Sequence, residues 1–329
     1  SMAVTSKEAT MQFLATAVLT GLAVLFAHHA EATERTMTIA VFTKNSTNPA
    51  YAAFRFAADQ VARANGAKAV HYVPKKPDDV DEQKAFVEQV LKDKPDVVIF
   101  IPVDDVAMID SVKKLNEAKI PIVLASNPLP GSFVTYVGAD DYAIGYREAL
   151  YLFDKMGGEG KIVVIEGTPA APTNRERLRG YKHAFAEFPG IQVLASGIGN
   201  YQQPDAKRVM AKFLQDHPRI DAVLSANDGM ALGALEALKE ANRSAIVIGI
   251  NGILPAVKQI EAGGMLASVD FNMFKIGCMA ARAAVRQLKG EPLPDKVILP
   301  AEVIDRANYK AWLTPVEQRT CPDWAEVAK

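Results

Sequence analysis

The side chains with chemistry to offer gather at a few points along the chain. The first is Lys44-Asn45-Ser46-Thr47-Asn48-Pro49-Ala50-Tyr51; then come Ser126-Asn127, Asn174-Arg175, Asn200-Tyr201, Asn227-Asp228, Asn251-Gly252 and Asp270-Phe271-Asn272. Amides both donate and accept hydrogen bonds, as hydroxyl groups do, and aromatic rings cover apolar C–H faces. A set rich in Asn, with an Arg, a few aromatics and one or two carboxylates, therefore suits a polyhydroxylated ligand. Each member also has a plainer use. Asn48, Asn227 and Asn251 stand where a helix cap or turn is expected, and Asp228 fits an N-terminal cap better than a ligand contact. Tyr51 and Tyr201 suit a core or a rim equally. Arg175 differs, because a cation in the first turn of a helix gains nothing from the helix dipole and needs another reason to be there.

Constellations that make or break bonds do not appear. There is no Gly-x-Ser-x-Gly elbow and no Gly-rich phosphate loop at a strand-to-helix turn. Gly157-Gly158-Glu159-Gly160 precedes a strand and reads as a helix-ending turn. His71, His183 and His217 fit no metal-ligand spacing. Asp104-Asp105 and Asp140-Asp141 follow strands, where capping the next helix is the simpler use for them.

These residues lie at the ends of short β-branched runs that alternate with stretches of helical period. Strands are expected at 38–42, 69–73, 97–101 and 121–125, with helices at about 50–65, 80–93 and 106–118. The pattern then restarts, with strands at 161–166, 192–195, 222–225, 245–250 and 267–271. Helices at about 174–187, 205–216, 229–241, 254–262 and 274–289 separate them. Runs of Val, Ile and Leu without polar alternation suit strands covered on both faces, as in parallel sheets. The fold class is α/β, with two similar doubly wound parallel-sheet lobes, and ligands of such sheets bind beyond the carboxyl ends of the strands. Thr173 with Glu176 fits a capping box, while Gly263-Gly264 and Gly290 with Pro292 and Pro294 stop helices. From Asn308 the chain loses its periodicity, and its Trp312 and Trp324 are expected to pack over a surface.

Composition narrows the class further. The 329 residues carry 37 Lys and Arg against 38 Asp and Glu, so nothing demands a nucleic-acid partner. Met11 to Ala27 is an apolar run followed by Ala30-Glu31-Ala32, the pattern of a cleaved secretory signal over residues 1–32, with Ser1 reading as an appended residue. The rival is an uncleaved anchor, since Glu8 offsets Lys7 in a weak basic region. Export permits a disulfide between the two cysteines, Cys278 and Cys321, but Cys278 lies in an apolar helical stretch, where a free buried thiol is the plainer reading.

Over Met37 to Asp305 the chain resembles the periplasmic sugar-binding proteins of ABC importers, type I periplasmic binding proteins of the ribose-binding-protein-like group. The carriers are Thr38-Ile39-Ala40-Val41 leading to Asn48-Pro49-Ala50-Tyr51, Asn174-Arg175-Glu176-Arg177 with Gly180-Tyr181, Asn227-Asp228-Gly229-Met230-Ala231-Leu232-Gly233-Ala234-Leu235, and Ile248-Gly249-Ile250-Asn251-Gly252. The resemblance implies two lobes joined by three crossovers near Ala139, Phe271 and Pro300. One lobe is 33–139 plus 271–300; the other is 140–270 plus 301–329 with its irregular tail. It implies a monomer in the periplasm that encloses a sugar, polyol or sugar acid by hinge closure and hands it intact to a membrane permease. Neither enzyme activity, cofactor, metal nor nucleic acid is involved, and a chemoreceptor or sensor kinase is the alternative recipient. Carried over by position, the ligand-binding residues are Lys44, Asn48, Tyr51, Ser126, Asn127, Arg175, Tyr201, Asn227, Asn251, Asp270 and Phe271.

Two departures bear on the ligand. Ser126-Asn127 stands where family members often carry Asp-Arg, and Asn251 where they often carry Asp. With those carboxylates missing, the expected ligand lies outside the common aldopyranoses: a polyol or furanose held by amides, or a sugar acid whose carboxylate pairs with Arg175. A repressor's effector domain shares the fold family, but the apolar segment before residue 37 cannot be a helix-turn-helix. An exported glycoside hydrolase would need paired carboxylates facing a cleft, for which only Asp270 with Asp228 or Asp140 could serve.

Overall fold

In the computed structural model, which describes residues 35–328, the chain builds two sheets one after the other. The expected signal segment lies outside the described residues. β1 (Thr38–Phe42), α1 (Pro49–Ala64), β2 (Lys68–Tyr72), α2 (Val80–Asp93), β3 (Val97–Phe100), α3 (Ile109–Glu117), β4 (Ile122–Ala125) and β5 (Thr135–Gly138) form the first run. The second run is α4 (Asp141–Lys155), β6 (Glu159–Glu166), α5 (Pro172–Glu187), β7 (Gly190–Ile198), α6 (Gln203–Asp216), β8 (Ala222–Ser225), α7 (Asp228–Glu240), β9 (Ile246–Ile250), α8 (Leu254–Ala262) and β10 (Ala267–Asp270). α9 (Met273–Leu288), β11 (Lys296–Ile298), β12 (Glu302–Ile304) and the short α10 (Trp324–Val327) complete the described chain. None of the helices among the described residues is long and apolar enough to cross a membrane.

The strand orders are β11-β5-β4-β3-β1-β2 and β12-β10-β9-β8-β6-β7, parallel throughout except that β12 runs antiparallel to β10. The strands are covered on both faces, as their unbroken apolar runs require. In the first sheet Ile39, Val41, Val97, Ile99 and Val123 face α1 and α9, while Ala40, Phe42, Val98, Phe100 and Ile122 face α2 and α3. In the second, Ile162, Val164, Ala222, Leu224 and Ile248 meet Leu152, Phe153 and Tyr181 of α4 and α5. The chain leaves the first sheet after β5, returns after β10 as α9 packs on α1, and crosses once more between β11 and β12.

Several elements depart from the sequence reading. β5, β11 and β12 were not expected; they are three or four residues long and carry little apolar pattern. The Thr173–Glu176 capping box does not form, because Pro172 starts α5 two residues before the expected 174 and leaves Thr173 inside the first turn. Asn227, not Asp228, caps α7, its Oδ1 accepting from the Met230 N–H at 2.8 Å. The tail does not stay with the second lobe. The 3-10 turn Tyr309–Leu313 rests on α8, but Val316–Gln318 lies against α1 and α10 against α9. Cys321 is bonded to Cys278 of α9, which carries the end of the chain onto the first lobe.

Candidate ligand-binding site

The carboxyl ends of both sheets face a shared cavity, where ligands of parallel sheets bind. From the first lobe Asn45, Asn48, Ala50, Tyr51, Asp78, Ser126 and Asn127 line it; from the second come Thr173, Arg177, Tyr201, Asn227 and Asn251, with Phe271 and Met273 at a crossover.

On the first-lobe side the loop between β1 and α1 is held by its own amides. Asn48 caps α1 by accepting from the Ala50 N–H at 3.0 Å, and its N–H donates to Asn45 Oδ1 at 3.0 Å. Asn45 Nδ2 in turn donates to Asp78 Oδ1 at 2.8 Å, tying the β2–α2 loop to it. Ser126 adopts a left-handed backbone (φ 60°), and Tyr136 secures it by donating its hydroxyl to the Ser126 carbonyl at 2.8 Å. Asn127 Nδ2 donates to the Pro102 carbonyl at 3.1 Å.

Arg177 is the centre of the second-lobe side. It is 3% exposed, donates from Nε to Asp141 Oδ1 at 2.9 Å and from Nη1 to the Ala226 carbonyl at 2.7 Å, and lies between the rings of Phe271 and Tyr201, 5.2 and 5.8 Å away. Its helix approaches α4 closely: a Cβ on Gly180 would lie 2.4 Å from the Tyr142 carbonyl oxygen, and one on Gly145 2.3 Å from that of Arg177. Burial pushes the Asp141 carboxyl up while the adjacent Arg177 guanidinium pulls it the other way. Burial likewise raises the Tyr201 phenol to about 12, and its hydroxyl pairs with Thr173 Oγ1 at 2.9 Å. Asn227 spends its oxygen on the cap and donates Nδ2 to the Tyr201 carbonyl at 3.3 Å. Asn251 is held at φ 126°, with its buried Oδ1 unpartnered.

Of the residues singled out in the sequence, Asn48, Tyr51, Ser126, Asn127, Tyr201, Asn227, Asn251 and Phe271 line this cavity. Three do not. Arg175 points away and pairs with Asp105 of the first lobe, its Nη1 also donating to the Ala170 carbonyl at 3.2 Å. The reason is helical geometry. With α5 starting at Pro172, Thr173 and Arg177 are four apart and share the cavity face, and Arg175 falls on the opposite side. Asp270 closes β10 and turns to the other side of the strand from Phe271, where it accepts from Trp312 Nε1 at 2.7 Å. Lys44 lies behind the lining, 1% exposed, with its ammonium 5.9 Å from the Tyr201 ring centre. Asp78, Thr173, Arg177 and Met273 were missed, and Asn45 was named in its loop but not among the binding residues. For Thr173 and Arg177 the signal was present, in Pro172 as the first helical residue and the four-residue spacing.

A family model described as periplasmic binding protein domain matches residues 39–292. The ribose import binding protein of Bacillus subtilis is 28% identical over 271 residues, 82% of this chain and 88% of that protein. The xylitol-binding protein of Mycolicibacterium smegmatis is 30% identical over 193 residues, 58% of this chain and 55% of that one. Among solved structures, an ABC transporter periplasmic solute-binding protein from Actinobacillus succinogenes with bound D-allose superposes with a TM-score of 0.80 at 28% identity, covering 84% of this chain and all of that one. A solute-binding protein from Mycobacterium smegmatis with bound glycerol gives a TM-score of 0.80 at 27% identity, covering 85% and 98% of the two chains. The two-lobed fold, the cavity between facing strand ends and the family model agree: the chain belongs to the periplasmic binding protein family.

Proposed function

We propose that the protein takes up one small, neutral, polyhydroxylated molecule, a monosaccharide or a polyol, between its lobes. It presents the closed complex to the permease of an ABC importer in the periplasm. The observation that carries this reading is a cavity lined by amides, hydroxyls and rings from both lobes, in which the lining arginine already has a carboxylate partner. Arg177 is matched by Asp141, and Arg175, the residue that would have met a sugar acid, is matched by Asp105. Asp78 adds a carboxylate that a ligand's own carboxylate would have to face. Relatives named for ribose and xylitol, and structural neighbours holding D-allose or glycerol, share this neutral chemistry.

The mechanism needs no covalent step. A ligand that touches both lobes binds the closed form better than the open one and shifts the population towards it by that difference. Selectivity comes from the buried polar lining, since a ligand lacking a hydroxyl leaves a protein group unpaired. Calorimetric titration with neutral pentoses, hexoses and polyols, beside sugar acids, tests the reading. Binding confined to the acids, or recovery of a chemically altered ligand, overturns it.

A further inference from the structure

The chain beyond β12 is fastened to both lobes. Near its start, Arg306 Nη1 donates to the Glu261 carbonyl of α8 at 2.7 Å, and Tyr151 of α4 donates its hydroxyl to Asp305 Oδ2 at 2.6 Å. Near its end it holds the first lobe. Cys321 is bonded to Cys278 of α9, the Cys321 N–H donates to Gln60 Oε1 at 2.9 Å, and Gln60 Nε2 donates to the Arg319 carbonyl at 2.9 Å. Arg282 of α9 adds a bond from Nε to the Pro322 carbonyl at 2.7 Å. The segment is a further passage of chain between the lobes, beside the crossovers, and it is closed at its far end by a covalent bond.

Two features couple this passage to the hinge. Trp312 Nε1 donates to Asp270 Oδ2, and Asp270 Oδ1 accepts from the Asn272 N–H at 2.6 Å. Asn272 Nδ2 then donates to the Pro300 carbonyl at 2.8 Å, so one chain of bonds joins the tail to two crossovers. Between the anchors the segment is also folded back on itself. Arg319 donates from Nε to the Thr314 carbonyl at 2.9 Å and from Nη2 to the Trp312 carbonyl at 3.3 Å. Pulled straight, the stretch from Trp312 to Cys321 would span about 30 Å. The Arg319 clamp therefore withholds length that a wider separation of the lobes would draw on.

We propose that this segment is a strap across the hinge that sets how far the lobes part, with the Cys278–Cys321 bond as its anchor and the Arg319 clamp as its reserve. The proposal concerns the amplitude of opening and not the identity of the ligand, so it stands or falls independently of the function proposed above. Losing the anchor frees the far end; losing the clamp lengthens the strap while both ends stay fixed.

Small-angle scattering of the ligand-free full chain tests this, comparing the unaltered protein, Cys321→Ser, Arg319→Ala, and the unaltered protein after thiol reduction of its disulfide. The radius of gyration is expected to rise in all three altered samples, most in Cys321→Ser and the reduced protein. Hydrogen exchange at the amides of Phe271 and Asn272 should quicken alongside. A tail that only stiffens the fold would lower the melting temperature and leave the scattering curves superimposable, which overturns the proposal. Arg319→Ala keeps the disulfide and carries the test should Cys321→Ser fail to fold.

Discussion

At the scale of single residues, the cavity separates groups already satisfied from groups left waiting. Asn227 spends its oxygen on a cap, whereas the Asn251 oxygen is buried with no partner. A buried acceptor without a donor costs free energy that a ligand hydroxyl would recover. Asn251→Gly removes the acceptor and suits the backbone at φ 126°, so unfolding stability should stay within about 1 kcal/mol. Ligand affinity should fall roughly ten- to a hundredfold by calorimetry. Equal affinity in the variant would remove Asn251 from the site. Asp228 behaves differently. Burial raises its carboxyl to about 7, although Ser268 Oγ at 2.7 Å and the Ile253 N–H at 3.0 Å both donate to it. A folded-state value above the unfolded one means that its contribution to stability is complete below pH ~4 and is lost as the pH rises towards 7. Denaturation of Asp228→Asn and the unaltered protein across that window should show the unaltered protein losing ground as pH rises, by at most on the order of 4 kcal/mol. A pH-independent difference between the two would contradict the raised value. The same residue marks a limit of sequence reading: Asn227 and Asp228 are equally good caps on paper, and only the position of Ser268 on β10 decides which carboxylate or amide is drawn inward.

At the scale of elements, the parts most legible in the sequence are those with long periodic patterns. The helices α1, α2, α6 and α9 and the Val- and Ile-rich strands are read from apolar periodicity, whereas α4 (Asp141–Lys155) was not expected. β11 and β12 are held by neighbouring strands instead of by their own pattern, so a three-residue segment such as Lys296–Ile298 carries no local signal. Arg175 was misplaced by two residues for a related reason. Its exclusion from the cavity follows from the helical phase that Pro172 sets, and the expected Thr173 cap obscured that phase. The phase has a price in packing, because Arg177 reaches the cavity only while α5 lies against α4 with glycines at the contact. Gly180→Ala would force its methyl against the Tyr142 carbonyl and should destabilise the fold by about 1–3 kcal/mol in chemical denaturation. It should also weaken ligand binding, by displacing Arg177 relative to Tyr201 and Phe271. A variant as stable as the parent would mean that the two helices part without cost.

At the scale of the whole molecule, two contacts bridge the lobes outside the cavity, and under the proposed hinge mechanism they would be made only when the lobes are together. Arg175 of α5 pairs with Asp105, which follows β3 in the other lobe, and Thr47 donates its hydroxyl to Gln202 Oε1 across the same divide at 2.9 Å. The Arg175 side chain is 48% exposed, so the pair is a solvent-screened one worth about 0–1 kcal/mol. A small term of this kind still shifts a two-state equilibrium, because it is present in only one of the states. Arg175→Ala should therefore weaken ligand binding by no more than about fivefold at low salt, and the difference should shrink at ~1 M salt, where the Debye length is about 3 Å. An arginine gripping a ligand carboxylate directly, inside a closed cavity, would cost a hundredfold or more and respond far less to salt. Calorimetry of the variant at two ionic strengths separates the two roles. A large, salt-insensitive loss would return Arg175 to the ligand and with it the case for a sugar acid, while a small, screened one leaves it as a latch between the lobes.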